Sequence, residues 1–210
     1  MKLQKIGGVA SIGNACVAAM FLFIAAVVFP RLGLMAPQDW MDAAKAAQAA
    51  TASPLTFFLL DIVGSILFAI AFLLIMLALR ERMQADAPIL TQMALVVTPI
   101  ACALWLAAGL VVHMMRAVVG PGDTSFYKAA MGIYWGLTDS GDHAAGWALL
   151  LMGWAALRTA KLPRILGYLI VLVGVVTILD FLSMALGMVS LALMVIMPVW
   201  LGIVLLRTKN

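Results

Sequence analysis

Hydrophobic positions along this chain come in long unbroken runs, and the charges sit between them as punctuation. The runs are Ile6 to Phe29, Leu55 to Leu79, Gln92 to Met115, a stretch ending at Leu157, Ile165 to Leu182, and Met188 to Leu206. They stop at Pro30-Arg31, at Arg80-Glu81-Arg82, at Arg116 and at Arg158. Backbone polar groups in lipid are satisfied only inside helices or closed barrels. Barrel strands read as alternating segments of about ten residues, whereas a helical crossing needs about twenty apolar residues. The pattern therefore predicts an all-α fold, a polytopic transmembrane bundle of six spans forming one domain over residues 1–210. Its spans are expected near residues 6–29, 55–79, 92–115, 138–157, 165–182 and 188–206.

The fourth span is the ambiguous one. Ala144 to Leu157 alone is too short to cross, so the helix must borrow from Ile133 to His143. That places Asp139, Asp142 and His143 at or inside the membrane edge. Gly187 is the expected tight turn between the last two spans. Two longer connections have their own signals. From Pro37 to Ser53 the chain is rich in Ala, and Trp40, Ala44 and Ala47 at i, i+4, i+7 predict a short interfacial helix. From Gly120 to Asp142, Gly120-Pro121-Gly122-Asp123 signals a turn, followed by an aromatic belt or lid of Phe126, Tyr127, Tyr134 and Trp135. Pro99 and Pro198 are expected to kink their helices.

Composition fits this class. Hydrophobic residues make up 66% and charged residues 10%, against roughly 25% charged in soluble domains, and mean hydropathy is +1.14. The net charge of +4 is a topology signal. No basic run with interleaved aromatics exists to suggest nucleic acid. Nine cations (Lys2, Lys5, Arg80, Arg82, Arg158, Lys161, Arg164, Arg207 and Lys209) fall on one side and four (Arg31, Lys45, Arg116 and Lys128) on the other. The positive-inside rule then makes both termini cytoplasmic. The opening Met1-Lys2-Leu3-Gln4-Lys5 leads into an apolar stretch longer than a signal-peptide core, so it reads as an uncleaved first span. Cys16 and Cys102 lie within apolar runs and read as small buried thiols.

Against this apolar background the ionisable residues stand out. Asp61, His113, Asp139, Asp142, His143 and Asp180 all fall toward the outer face if each helix rises about 1.5 Å per residue. Intramembrane ionisable groups are costly and usually face a bundle interior or a water-filled cavity. The six are therefore the candidate ligand or ion pocket. Three chemistries suit them. His113, Asp139 and His143 are candidate metal ligands; His113 and His143 are a candidate axial pair for haem; and Asp61 and Asp180 suit ion coupling or proton relay in a small transporter. A structural alternative pairs Asp61 with Arg116 or with Ser and Thr hydroxyls.

Signals for catalysis are lacking. There is no H-E-x-x-H, no G-x-S-x-G elbow and no phosphate-cradling glycine loop. The fifteen Met residues are scattered through the spans and read as lipid-facing or packing residues. Gly132-x-x-x-Gly136 and the pair Gly167 and Gly174 read as points of close helix approach.

The stretch Lys161-Leu162-Pro163-Arg164-Ile165-Leu166-Gly167-Tyr168-Leu169 and its following apolar helix with Gly174 resemble a bacterial family of six-helix integral membrane proteins of unknown function. The family's L-P-R-x-L-G turn precedes the fifth helix, which often carries an acidic residue near its end, as Asp180 does here. The resemblance implies the same six-helix fold and a multi-pass protein of the bacterial cytoplasmic membrane, with no mechanism. Physically, Pro163 suits the first turn of a helix, and Arg158, Lys161 and Arg164 suit anionic headgroups. The leading expectation is a non-enzymatic membrane protein that binds or passes a small ligand or ion through an outer-leaflet polar pocket. The alternatives are an accessory subunit of a larger membrane complex and a haem- or metal-binding redox protein, with the cofactor unknown. The expected partners are the lipid bilayer and other membrane proteins or further copies of the chain.

Overall fold

The computed structural model describes residues 3–35, 39, 41–118 and 124–207. Among them are seven long helices: α1 Leu3–Arg31, α2 Ala43–Ala52, α3 Pro54–Met83, α4 Pro88–Val118, α5 Thr124–Thr159, α6 Arg164–Leu179 and α7 Met184–Arg207. The protein is all-α. Five helices (α1, α3, α4, α7 and α6 with its following turn) are long and apolar enough to cross a membrane, which suits an integral membrane protein.

Helices form where the apolar runs lie because lipid leaves the backbone no other partner. Their packing follows the chain. Asp61 and Ser65 of α3 meet Gly109 of α4. Trp105 of α4 meets Gly141 and Asp142 of α5. Gly146 of α5 meets Gly174 of α6, and Thr177 of α6 bonds Ser190 of α7. Ser11 of α1 donates to the Pro198 carbonyl of α7 at 2.7 Å, closing the last helix onto the first. Gly7 of α1 also meets Ala78 of α3. The result is an up-and-down ring of six long helices, with residues 3 and 207 at the same end.

The centre of the ring is filled. Met76, Leu79, Met83, Leu149, Met152, Leu166, Ile170, Leu201 and Leu205 are essentially inaccessible. Apolar burial drives helix association weakly in lipid, so close backbone approach matters more. At Gly174 a Cβ would stand 2.8 Å from the Gly146 carbonyl oxygen and 2.7 Å from the Leu150 nitrogen, so only glycine fits. Gly167 likewise meets Leu157 at the start of α6. The expected close approach at Gly132 and Gly136 is not seen: among the described residues, a Cβ at either would meet nothing within 4 Å.

Several boundaries differ from the sequence reading. The stretch after residue 123 is not a loop. α5 begins at Thr124 and runs unbroken for 36 residues, through Gly141, to Thr159. Phe126, Tyr127, Tyr134 and Trp135 therefore stand on a helix. At about 54 Å this helix is longer than a hydrocarbon core of about 30 Å. Gly187 lies inside α7; the turn is instead the short 3₁₀ segment Asp180–Leu182 and extended Ser183, whose hydroxyl accepts from the Leu186 N–H at 3.2 Å. In α2 the buried positions are Ala43, Ala46 and Ala49, one turn-phase away from Ala44 and Ala47. Pro99 and Pro198 sit within continuous helices. Pro37, Trp40, the Gly120-Pro121-Gly122-Asp123 turn, Lys2 and Lys209 lie outside the described residues.

The L-P-R-I-L-G turn has a packing explanation. Leu162 and Leu166 are buried, Pro163 caps α6, and the Pro163 carbonyl accepts from the Gly167 N–H at 3.0 Å. Arg82 Nε donates to the Lys161 carbonyl at 2.9 Å, and Lys161 pairs with Asp86 at 3.0 Å, tying this turn to the α3–α4 turn.

Candidate functional site

At the end of the ring opposite the described termini, α2 lies across α3, α4 and α5 and leaves a recess of about 370 Å³. The local sequence builds it. The Asp42 side chain caps α2 by accepting from the Ala44 and Lys45 N–H groups at 3.0 and 3.2 Å. Lys45 pairs with Asp39 at 2.6 Å, which holds its ammonium above the usual lysine range. Ala43 and Ala46 then bury against Val112, Met115, Tyr127, Ala130 and Met131 at the ends of α4 and α5. Alanine at these positions keeps α2 low over the bundle without filling the space beside it.

Beneath α2, the α3 backbone widens into a π-helical turn, Leu59–Gly64, and Asp61 lies within it. Such turns are rare and occur frequently at functional sites. Asp61 Oδ2 accepts from Arg116 Nε at 3.0 Å; the aspartate side chain is 1% exposed and the arginine side chain 12%. The Arg116 guanidinium stacks over the Phe57 ring, 4.2 Å from its centroid, and Phe57 stacks in turn on Phe29. His113, one turn before Arg116 on α4, meets the edge of Phe58 at 6.0 Å between centroids. Among the described residues its ring nitrogens have no hydrogen-bond partner. The recess thus has a charged floor that is neutral as a pair, aromatic walls from Phe57, Phe58 and Tyr127, and an alanine roof.

The remaining candidates lie elsewhere. Asp142 Oδ1 accepts from Trp105 Nε1 at 2.8 Å, and Trp105 packs edge-on against Phe68 and Phe72. Asp139 and Asp180 are within electrostatic reach of Asp142, and His143 is within reach of Asp180. None of these four residues lines the recess. His143 Nδ1 lies 3.3 Å from the Ile178 carbonyl, and its Nε2 lies 3.2 Å from Trp147 Nε1–H. Both contacts are met by the neutral tautomer that donates from Nδ1 and accepts at Nε2.

The six residues are therefore two groups, not one site. Asp61 abuts Gly109, and Asp142 bonds Trp105, one turn further from that end; the offset is about 6 Å. His113 lies eight residues beyond Trp105, about 12 Å along the axis. It faces α3, whereas His143 faces α6. A haem held axially by both is incompatible with that separation. The metal set of His113, Asp139 and His143 does not assemble either, and no group of three or more His, Cys, Asp or Glu among the described residues has metal-holding geometry.

Arg116 entered the sequence reading only as a structural partner of Asp61, and the structure forms that pair. Phe57, Phe58 and Trp105 were not anticipated. Their signal was their sequence placement: Phe57-Phe58 stands one helical turn from Asp61, and Trp105 two turns from His113. No family model, curated protein or solved structure matches this chain.

Proposed function

We propose that this chain is a six-crossing protein of the bacterial cytoplasmic membrane, with both termini cytoplasmic, and that it binds a small ligand in the recess floored by Asp61 and Arg116. The sixth crossing is α5. It carries Lys128, Asp139, Asp142 and Arg158, too many charges for an ordinary span, yet it packs between α4 and α6 and shares their depth. The excess of Lys and Arg at the end bearing the termini supports that end as cytoplasmic. The recess then opens at the outer leaflet. Grouping with the six-helix family belongs to the same proposal and rests on Leu162 to Gly167.

One observation carries the reading: a buried ion pair sits at the floor of unfilled space. Pockets for small molecules are concave, mostly apolar and supplied with a few placed polar groups, in volumes of about 300–1,000 Å³. The recess meets each condition. Binding is favoured over passage because Met76, Leu79 and Met152 fill the ring below.

The Asp61–Arg116 pair also satisfies both of its own charges, and that observation favours a second reading, in which the pair is structural and the chain is an accessory subunit. Native mass spectrometry of protein released gently from its host membranes separates the two. A small molecule at one per chain supports the binding reading. A co-purifying polypeptide with no small ligand supports the subunit.

A further inference from the structure

The polar groups of the recess define the kind of ligand it can take. Its charges already cancel, since Asp61 and Arg116 are paired at 3.0 Å. A ligand with net charge would bring an uncompensated ion to a partly buried site, at a desolvation cost. A neutral ligand avoids that cost.

The second constraint is which groups the recess presents. Asp61 and Arg116 both line the recess, and the arginine side chain, 12% exposed against 1%, presents more of its surface, so the guanidinium is the main charged group the ligand meets. Arginine has donors and no acceptor. His113 adds an imidazole whose nitrogens have no partner among the described residues. The guanidinium, the more exposed of the two charges, favours a ligand head that accepts hydrogen bonds. A carbonyl is the neutral group that does this best at an arginine.

The third constraint is the wall. Phe57 lies under the guanidinium, and Phe58, 45% exposed, stands at the rim beside Leu55, 67% exposed. An apolar rim on a helix suited to lipid favours lateral entry from the bilayer over entry from water. The body of the ligand is then a ring or chain that partitions into the membrane.

We infer that the recess binds a neutral, carbonyl-headed lipophile, with its carbonyl directed at Arg116 and His113 and its apolar body against Phe58. This rests on the binding reading above and narrows it to one ligand class. Two membrane sources share that chemistry: a quinone and a neutral acyl ester.

The test is titration of the full chain in lipid nanodiscs with four ten-carbon probes: a decyl-substituted benzoquinone, monodecanoylglycerol, decanoate and decylammonium. The Ala47→Phe variant serves as control, because Ala47 lines the recess and a phenyl group there takes up its space while leaving Asp61 and Arg116 unsubstituted. Saturable binding of the quinone or the ester, at least tenfold tighter than decanoate and decylammonium and lost in Ala47→Phe, supports the inference. Whichever neutral probe binds tighter identifies the source. His113→Ala should weaken that probe several-fold while leaving the thermal midpoint unchanged. If decanoate or decylammonium binds best and is lost in Ala47→Phe, the ligand class is wrong and the recess remains a binding site. If no probe distinguishes wild type from Ala47→Phe, the inference falls. In that event, native mass spectrometry finding no ligand would remove the binding reading too.

Discussion

Two groups of polar residues occupy the same half of this molecule, and they are used differently. Around Asp142 the carboxylate and the neighbouring imidazole both have hydrogen-bond partners. Trp105 donates to the carboxylate, His143 engages Ile178 and Trp147, and aromatic rings close over the remainder. Around Asp61 the charge is equally well paired, yet the space above it is left open by three features. The α3 backbone bulges, α2 is built of alanine, and Arg116 lies flat on Phe57. A buried polar residue is thus no guide to function by itself. Space beside it, and an unpartnered group facing that space, are what separate a site from packing.

The contrast breaks most sharply at Arg116. Arg116→Met leaves Asp61 alone at 1% exposure, and losing one member of a buried pair costs about 3–5 kcal/mol. The double change Asp61→Leu with Arg116→Met should recover most of that loss in thermal unfolding, because matched apolar pairs are often neutral. At the packed group, Trp105→Phe removes the donor to Asp142 and should cost about 1.5–3 kcal/mol with no effect on ligand binding.

Helix contacts supply the next test. Gly174→Val forces a side chain onto the Gly146 and Leu150 backbone and should cost about 1–3 kcal/mol, or block folding. Gly136→Val meets nothing within 4 Å and should leave stability within about 0.5 kcal/mol. One expected change is a gain. Ala160 ends α5 at φ 51°, a left-handed conformation that disfavours a Cβ. Ala160→Gly should raise stability by about 0.5–1 kcal/mol in the same assay.

The sequence made most of the ring legible because five of the six apolar runs are long enough to cross a membrane as helices. It misplaced the start of α5, since Lys128, Asp139 and Asp142 break up the hydropathy that a span normally shows. Packing against α4 and α6 overrides that local signal. The turn assigned to Gly187 failed for a related reason. Glycine there is tolerated inside α7, and Ser183 supplies the cap. The candidate residues were legible by depth, which helix rise gives, but not by rotation. Rotation placed His113 over Phe58 and turned His143 toward Ile178, so one apparent cluster became two. The π-helical turn at Asp61 has no sequence signature, and neither does the alanine phase of α2, where positions 43, 46 and 49 bury instead of 44 and 47.

The most direct test places a photo-cross-linking side chain at Ala47 in the recess and, in a second variant, at Asp139 in the packed group. Both are irradiated in the native membrane, and the masses of the products are measured. The account predicts a discrete small-molecule adduct at position 47 and none of that mass at position 139. Equal labelling at both positions, or labelling by bulk phospholipid alone at position 47, would contradict it.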